Sequence, residues 1–223
     1  RNRDGYSRDR ERVGKAAEGT DGMTKLLPMS RFVKQIKDGT HGTHERVDSG
    51  VPLLSAKNIF NGRLKVSSEE SLISHEEAMT ITANGFPAKN DILLTTVGTI
   101  GRSYVWEDTE PQPFQRSVSF IRLEKKQNPR YFRYYFESKV FQEQLGLLTK
   151  TSAQPGIYMG DILKIPAPLV EETTQEKIVN YLDKKTSIVD KMITAKNHTH
   201  THSYQSSAKR LLRMPCLGVE VQL

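Results

Sequence analysis

The stretch DILLTTVGTIGRSYVW, residues 91–106, decides the fold class. Residues 91–97 and 103–106 are short runs rich in β-branched and aromatic side chains, and Gly98 and Gly101 mark a loop between them. The stretch therefore predicts two strands joined by a glycine-bearing connection. Working outward, SVSFIRL (117–123) follows as a further strand, and VPLLSAKNIF (51–60) and RLKV (63–66) precede it. Asn61-Gly62 between those two runs is a hairpin signal. Ser74 and Glu77 are spaced as a capping box that opens a short helix. Asn128 caps and Pro129 opens a longer one, in which Phe132, Phe136, Val140, Phe141 and Leu145 recur at helical spacing until Gly146. Its aromatic residues read as core. The expected class is α+β: a mixed domain of short strands with packed helices.

Beyond KIPAPLVEETT, Thr174 is expected to cap a final helix. Its residues Ile178, Leu182, Lys185, Val189, Met192 and Lys196 alternate steps of four and three, a coiled-coil register with two polar positions. An apolar seam on one helix calls for a partner. After Lys196 the sequence NHTHTHSYQSS loses the seam, and AKRLLRM resumes only a short amphipathic stretch. Residues 1–22 are charged, glycine-rich and aperiodic, so they are expected to be disordered, with Met23 as a natural start. The expected organisation is a leader at 1–22, a domain at 23–170, an assembly helix at 171–196 and an atypical tail at 197–223.

Length and composition exclude several classes. The 223 residues, 36% hydrophobic and 26% charged, suffice for one domain and a modest appendage. No run approaches a membrane span of about 20 apolar residues, and no secretory signal opens the chain, so a soluble cytoplasmic protein is expected. The single cysteine, Cys216, makes neither an internal disulfide nor a thiolate zinc site. Lys and Arg number 33 against 26 Asp and Glu, a net charge of +7. The excess is divided: +4 over residues 23–170 and +5 over residues 175–213. Such a balance favours a polyanionic partner.

Enzyme motifs fail on spacing. HEEAM at 75–79 puts Met79 where a zinc-protease helix needs its second histidine. His41 and His44 have a spacing compatible with metal ligation, but no further Cys or His cluster accompanies them. No catalytic or metal-ligating set is therefore expected. Neither a dinucleotide-binding glycine motif nor a Walker loop is present, so no cofactor is expected on this chain.

Three segments instead pair glycines with donors. In KDGTHGTHERVDSG (37–50), Gly39 and Gly42 let the backbone approach a surface closely, while Lys37, His41, Thr43, His44 and Arg46 offer donors. In TTVGTIGR (95–102), Arg102 follows a glycine loop suited to a phosphate or a guanine edge. In PQPFQRS (111–117), Gln115 and Arg116 place an amide beside a guanidinium, the groups suited to adenine and guanine edges.

Taken together, GTHGTHERVDSGVPLLSAKNIFNG (39–62), DILLTTVGTIGR (91–102), FQRSVSFIR (114–122) and SAQPGIYMGDILKIPAPL (152–169) resemble the target recognition domain of type I restriction-modification specificity subunits. QEKIVNYLDKKTSIVDKMI (175–193) resembles the conserved helical region of that family. The resemblance implies a non-catalytic, DNA-binding specificity subunit that binds double-stranded DNA and positions methyltransferase subunits and, through them, a restriction and motor subunit. S-adenosylmethionine and ATP with magnesium would then be held by those partners. One recognition domain and one helical region make this chain similar to a half subunit, which implies a second copy and one half of a bipartite target. Lys37, His41, Thr43, His44, Arg46, Arg102, Gln115 and Arg116 are the candidate DNA contacts, and Ile178, Leu182, Val189 and Met192 the assembly residues. The alternative is a degenerate or truncated recognition protein with only non-specific nucleic-acid binding and no assembly; metal-dependent hydrolysis at His41 and His44 is a more distant third.

Overall fold

The computed structural model describes residues 25–150 and 155–211, with 194–211 described by their backbone alone. The expected leader and start at Met23, and the last residues of the tail, lie outside the described residues. The chain divides between Glu176 and Lys177 into a strand-bearing unit and a helical unit.

Residues 91–106 form two paired strands joined by a glycine-bearing loop, as the sequence predicts. Strand β7 (Ile92–Thr95) pairs antiparallel with β8 (Ser103–Val105) and with β9 (Val118–Leu123). On the far side of β9 lies β2 (Val33–Asp38), giving a four-stranded sheet of order β2-β9-β7-β8. All four residues of β7 are buried, which is why the run is uniformly apolar up to its threonine and shows no alternation. One face carries Leu93, Val118 and Phe120, packed with Leu54, Ile59, Phe86, Trp106 and Phe114. The rings interlock edge to face, with Trp106–Phe114 centroids 6.0 Å apart and Phe114–Phe120 5.8 Å apart.

The alternate residues Ile92, Leu94 and Ile121 are also fully buried. Helices α2 (Pro129–Glu137) and α3 (Lys139–Leu148) build an aromatic cluster in which Phe136 and Phe141 stack at 4.6 Å and Phe132 meets Phe32 at 5.3 Å. Helix α1 (His75–Thr82) begins where expected, the Ser74 hydroxyl accepting the Glu77 N–H at 3.1 Å. Short pairs complete the unit: β1 (Leu26–Pro28) with β10 (Pro166–Pro168), β3 (Val51–Pro52) with β6 (Leu72–Ile73), and β4 (Ile59–Phe60) with β5 (Arg63–Leu64). A single turn of helix, α4 (Met159–Ile162), precedes β10. Asn61 and Gly62 close the β4–β5 hairpin with φ of 51° and 66°. Positive φ at both central positions is what the Asn-Gly dipeptide supplies.

Three expectations need correction, and one strand goes beyond them. The run 51–60 is not one strand: Ser55 and Asn58 cap each other reciprocally and fold Ala56–Asn58 into a 3-10 turn between β3 and β4. The helix after Pro129 is two helices. Ser138 takes an extended conformation and its hydroxyl caps α3, so the buried register becomes Phe132, Phe136, then Phe141 and Leu145, and Val140 is left 60% exposed. Strand β2 was not anticipated, because an irregularity between Val33 and Gln35 breaks its alternation. The final helix, α5 (Glu172–Leu211), begins before Thr174 and continues past Lys196. Losing the seam does not end a helix; residues 197–211 contain no Gly or Pro to stop it.

Candidate nucleic-acid interface

Strand register brings the three polar segments together. Asp38 at the end of β2 stands opposite Ser119, Val118 at the start of β9 stands opposite Thr95 at the end of β7, and Leu94 stands opposite Ser103 at the start of β8. The loops 39–50, 96–102 and 111–117 therefore leave one end of the sheet. They are sewn to one another by backbone hydrogen bonds. The Thr40 N–H donates to the Phe114 carbonyl at 2.7 Å and the Arg116 N–H to the Thr40 carbonyl at 2.9 Å, while the Thr96 N–H donates to the Ser117 carbonyl at 2.9 Å. Residues 155–157 join the same end: the Gly98 N–H donates to the Pro155 carbonyl, and the Ile157 N–H to the Thr96 carbonyl.

Gly39 is required by that closeness. A Cβ there would stand 2.3 Å from the carbonyl oxygens of Phe114 and Gln115, a contact only glycine avoids. The loops are thus a rigid rim and not independent arms, which suits presenting side chains at fixed positions.

The predicted residues divide by environment. His41, Thr43, Arg46 and Arg116 are exposed, and Gln115 is half-buried beside Thr40. His41 Nε2 lies 3.9 Å from Asp38, whose carboxylate accepts the Ser119 hydroxyl. His44 turns the other way. Its side chain is nine-tenths buried and Nδ1 lies 2.7 Å from Glu77 Oε1 on α1, tethering the loop instead of pointing outward. The two imidazoles therefore serve different carboxylates. Among the described residues no group of three or more His, Cys, Asp or Glu side chains is placed to hold a metal ion.

Lys37 is a strand residue, with its ammonium 5.5 Å from the centroid of Phe86. Arg122 stacks on the same ring at 4.1 Å and binds both oxygens of the buried Asp91 carboxylate at 2.8 Å each. That pair raises the already high pKa of Arg122 and fixes the strand end opposite the loops. Arg102 is half-buried and lies over Phe60, a ring that was not among the expected site residues. The signal was present in the sequence: an aromatic residue directly before the Asn-Gly turn, with Arg63 and Lys65 after it.

Residues 41–198 match the type I restriction modification DNA specificity domain. The chain belongs to this family. Strands β3 to β10 and the start of α5 fall within the matched span, while β1 and β2 precede it. No curated protein sequence matches the chain. Among solved structures, it is similar to a chain from work on the complex assembly and conformational transition of the type I R-M system, with a TM-score of 0.61 and 15% identity over 93% of this chain and 50% of that one. It is also similar to the HsdS subunit from Thermoanaerobacter tengcongensis, with a TM-score of 0.54 and 15% identity over 85% of this chain and 46% of that one. The specificity-domain chain thus spans about half the length of these structures and shares their mixed helix-and-strand fold.

Proposed function

We propose that this chain reads a short duplex-DNA sequence as a specificity subunit of a type I restriction-modification complex, using the loops at one end of the β2-β9-β7-β8 sheet. The observation that carries the reading is the convergence of loops 39–50, 96–102 and 111–117 on one rim, with Arg46 and Arg116 exposed along it. Cations attract the phosphate backbone, and guanidinium and amide groups can read base edges in the major groove. In this reading the chain has no catalytic residue of its own. Methyl transfer and cleavage belong to methyltransferase and motor subunits, which hold S-adenosylmethionine and ATP with magnesium, and the chain works with them in the cytoplasm. The rim covers one half of a bipartite target, and α5 joins the chain to a second copy.

Selection of randomised duplexes on the purified chain, with unrelated DNA as competitor, tests the reading. Recovery of one short sequence supports it. Enrichment of none would favour a protein that binds DNA by charge alone. Arg116→Ala should cost about 1 to 3 kcal/mol against the selected duplex and relax preference at one base pair.

A further inference from the structure

The β4–β5 hairpin carries an arrangement that the sheet-end loops do not account for. Phe60 is 39% exposed at the edge of a tight turn. Its ring collects two cations: the Arg102 guanidinium carbon lies 4.9 Å from the centroid and the Lys65 ammonium 5.0 Å from it. Arg102 Nη1 also donates to the Ile59 carbonyl at 3.3 Å, so the guanidinium is fastened to the hairpin backbone. Several nearby cations of this unit are held by carboxylates: Lys57 by Glu70, Arg122 by Asp91 and Arg133 by Glu137. Among the described residues neither Lys65 nor Arg102 has such a partner. Glu137 borders the turn at Gly62 but is taken by Arg133.

Two positive charges held at one ring repel each other, and the ring recovers only part of that energy. An anion close to both removes the repulsion. The ring face is already used by the cations, so the arrangement suits a phosphate better than a stacked base. Its place fits the same conclusion. Both strands of the hairpin pack against β8, and Arg102 is the residue that leads into β8 from the rim. The hairpin therefore flanks the loops.

We propose that hairpin β4–β5 clamps the sugar-phosphate backbone of the duplex that the rim reads, with Lys65 and Arg102 on phosphates and Phe60 as the positioning residue that holds them together. The inference rests on the recognition reading above. Under it Arg102 supplies affinity and no sequence information.

The test measures affinity of the full chain across a salt series for the selected duplex and for an unrelated duplex of equal length. Each phosphate contact contributes about 0.9 to the log-log salt slope. Lys65→Ala with Arg102→Ala should lower the slope by about 1.8 on both duplexes, with target preference unchanged. Phe60→Ala should give part of that loss, and Phe60→Trp should restore it. If Phe60→Ala does not fold, Phe60→Trp and the double variant still decide. An unchanged slope in the double variant, while Arg116→Ala relaxes specificity, overturns the clamp and leaves the recognition reading standing. A loss confined to the target duplex overturns it too, because Arg102 would then read a base. A salt slope lowered in the double variant but unmoved in Phe60→Ala removes Phe60 from the proposal. Failure of the unmodified chain to bind any duplex sinks both readings.

Discussion

Glu70 is a buried carboxylate with a job that composition could not reveal. Lys57 lies 2.8 Å from one oxygen and the Asn58 amide donates to the other at 2.7 Å. The hydrogen bond from Lys57 leads in holding its pKa below the ordinary glutamate value, against the opposing effect of burial. A depressed carboxylate contributes stability above its unfolded pKa and loses it as pH falls through the folded one. Glu137 has the opposite sign. Burial raises its pKa despite Arg133, so it costs stability when ionised and that cost disappears on acidification. Glu70→Gln should therefore lower stability at neutral pH by about 1 to 3 kcal/mol and flatten the decline below about pH 5, as read from urea midpoints at a series of pH values. An acid limb as steep as that of the unmodified chain would remove Glu70 from this role. His44 teaches the limit of sequence reading at the same scale. The spacing of His41 and His44 suggested similar roles, but Glu77, which captures His44, is 33 residues away in the chain, and no local pattern announces that pairing.

At the scale of elements, legibility followed the strength of the local signal. The Asn61-Gly62 turn, the Ser74 cap and the Asn128-Pro129 helix start each rest on backbone chemistry confined to a few residues, and each is where the sequence put it. Periodicity was less secure. Phe132 to Leu145 looked like one helical face because the extra step between Phe136 and Phe141 is filled by Val140, which satisfies the spacing without being buried. The break at Ser138 is visible only as a capping side chain, since its hydroxyl accepts the Phe141 N–H at 3.3 Å. Two substitutions separate the arrangements. Val140→Lys should change stability by no more than about 0.5 kcal/mol, whereas Phe141→Ala should cost about 3 to 5 kcal/mol, both by chemical denaturation. Comparable losses at the two positions would restore the single continuous helix.

At the scale of the whole molecule, the family and the fold class were legible, while the convergence of the loops depended on strand order, which pairs β2 with β9 from Asp38–Ser119 to Val33–Leu123 and leaves no trace in either segment. The helical unit poses the remaining question. Seam positions Val189 and Met192 are 52% and 67% exposed, and Tyr181, Ile188 and Ile193 are exposed beside them. At 100° per residue these positions, with Ile178 and Leu182, span an arc of about 140°, wider than a minimal coiled-coil seam. Lys185 interrupts the seam, but its ammonium lies 5.5 Å from the Tyr181 ring one turn earlier, so its stem covers apolar surface while its charge leaves the contact line. We propose that this stripe meets the same stripe of a second copy, the two helices running antiparallel. From Ile178 to Met192 the seam is only about 22 Å long, so the pair should be weak alone and tightened by a duplex carrying two half-sites. Leu182→Lys should abolish both self-association and the preference for the two-site duplex while leaving single-site binding intact. Sedimentation across a concentration series, with and without that duplex, decides the matter: a chain that stays monomeric under both conditions would mean that its exposed stripe belongs to a different subunit.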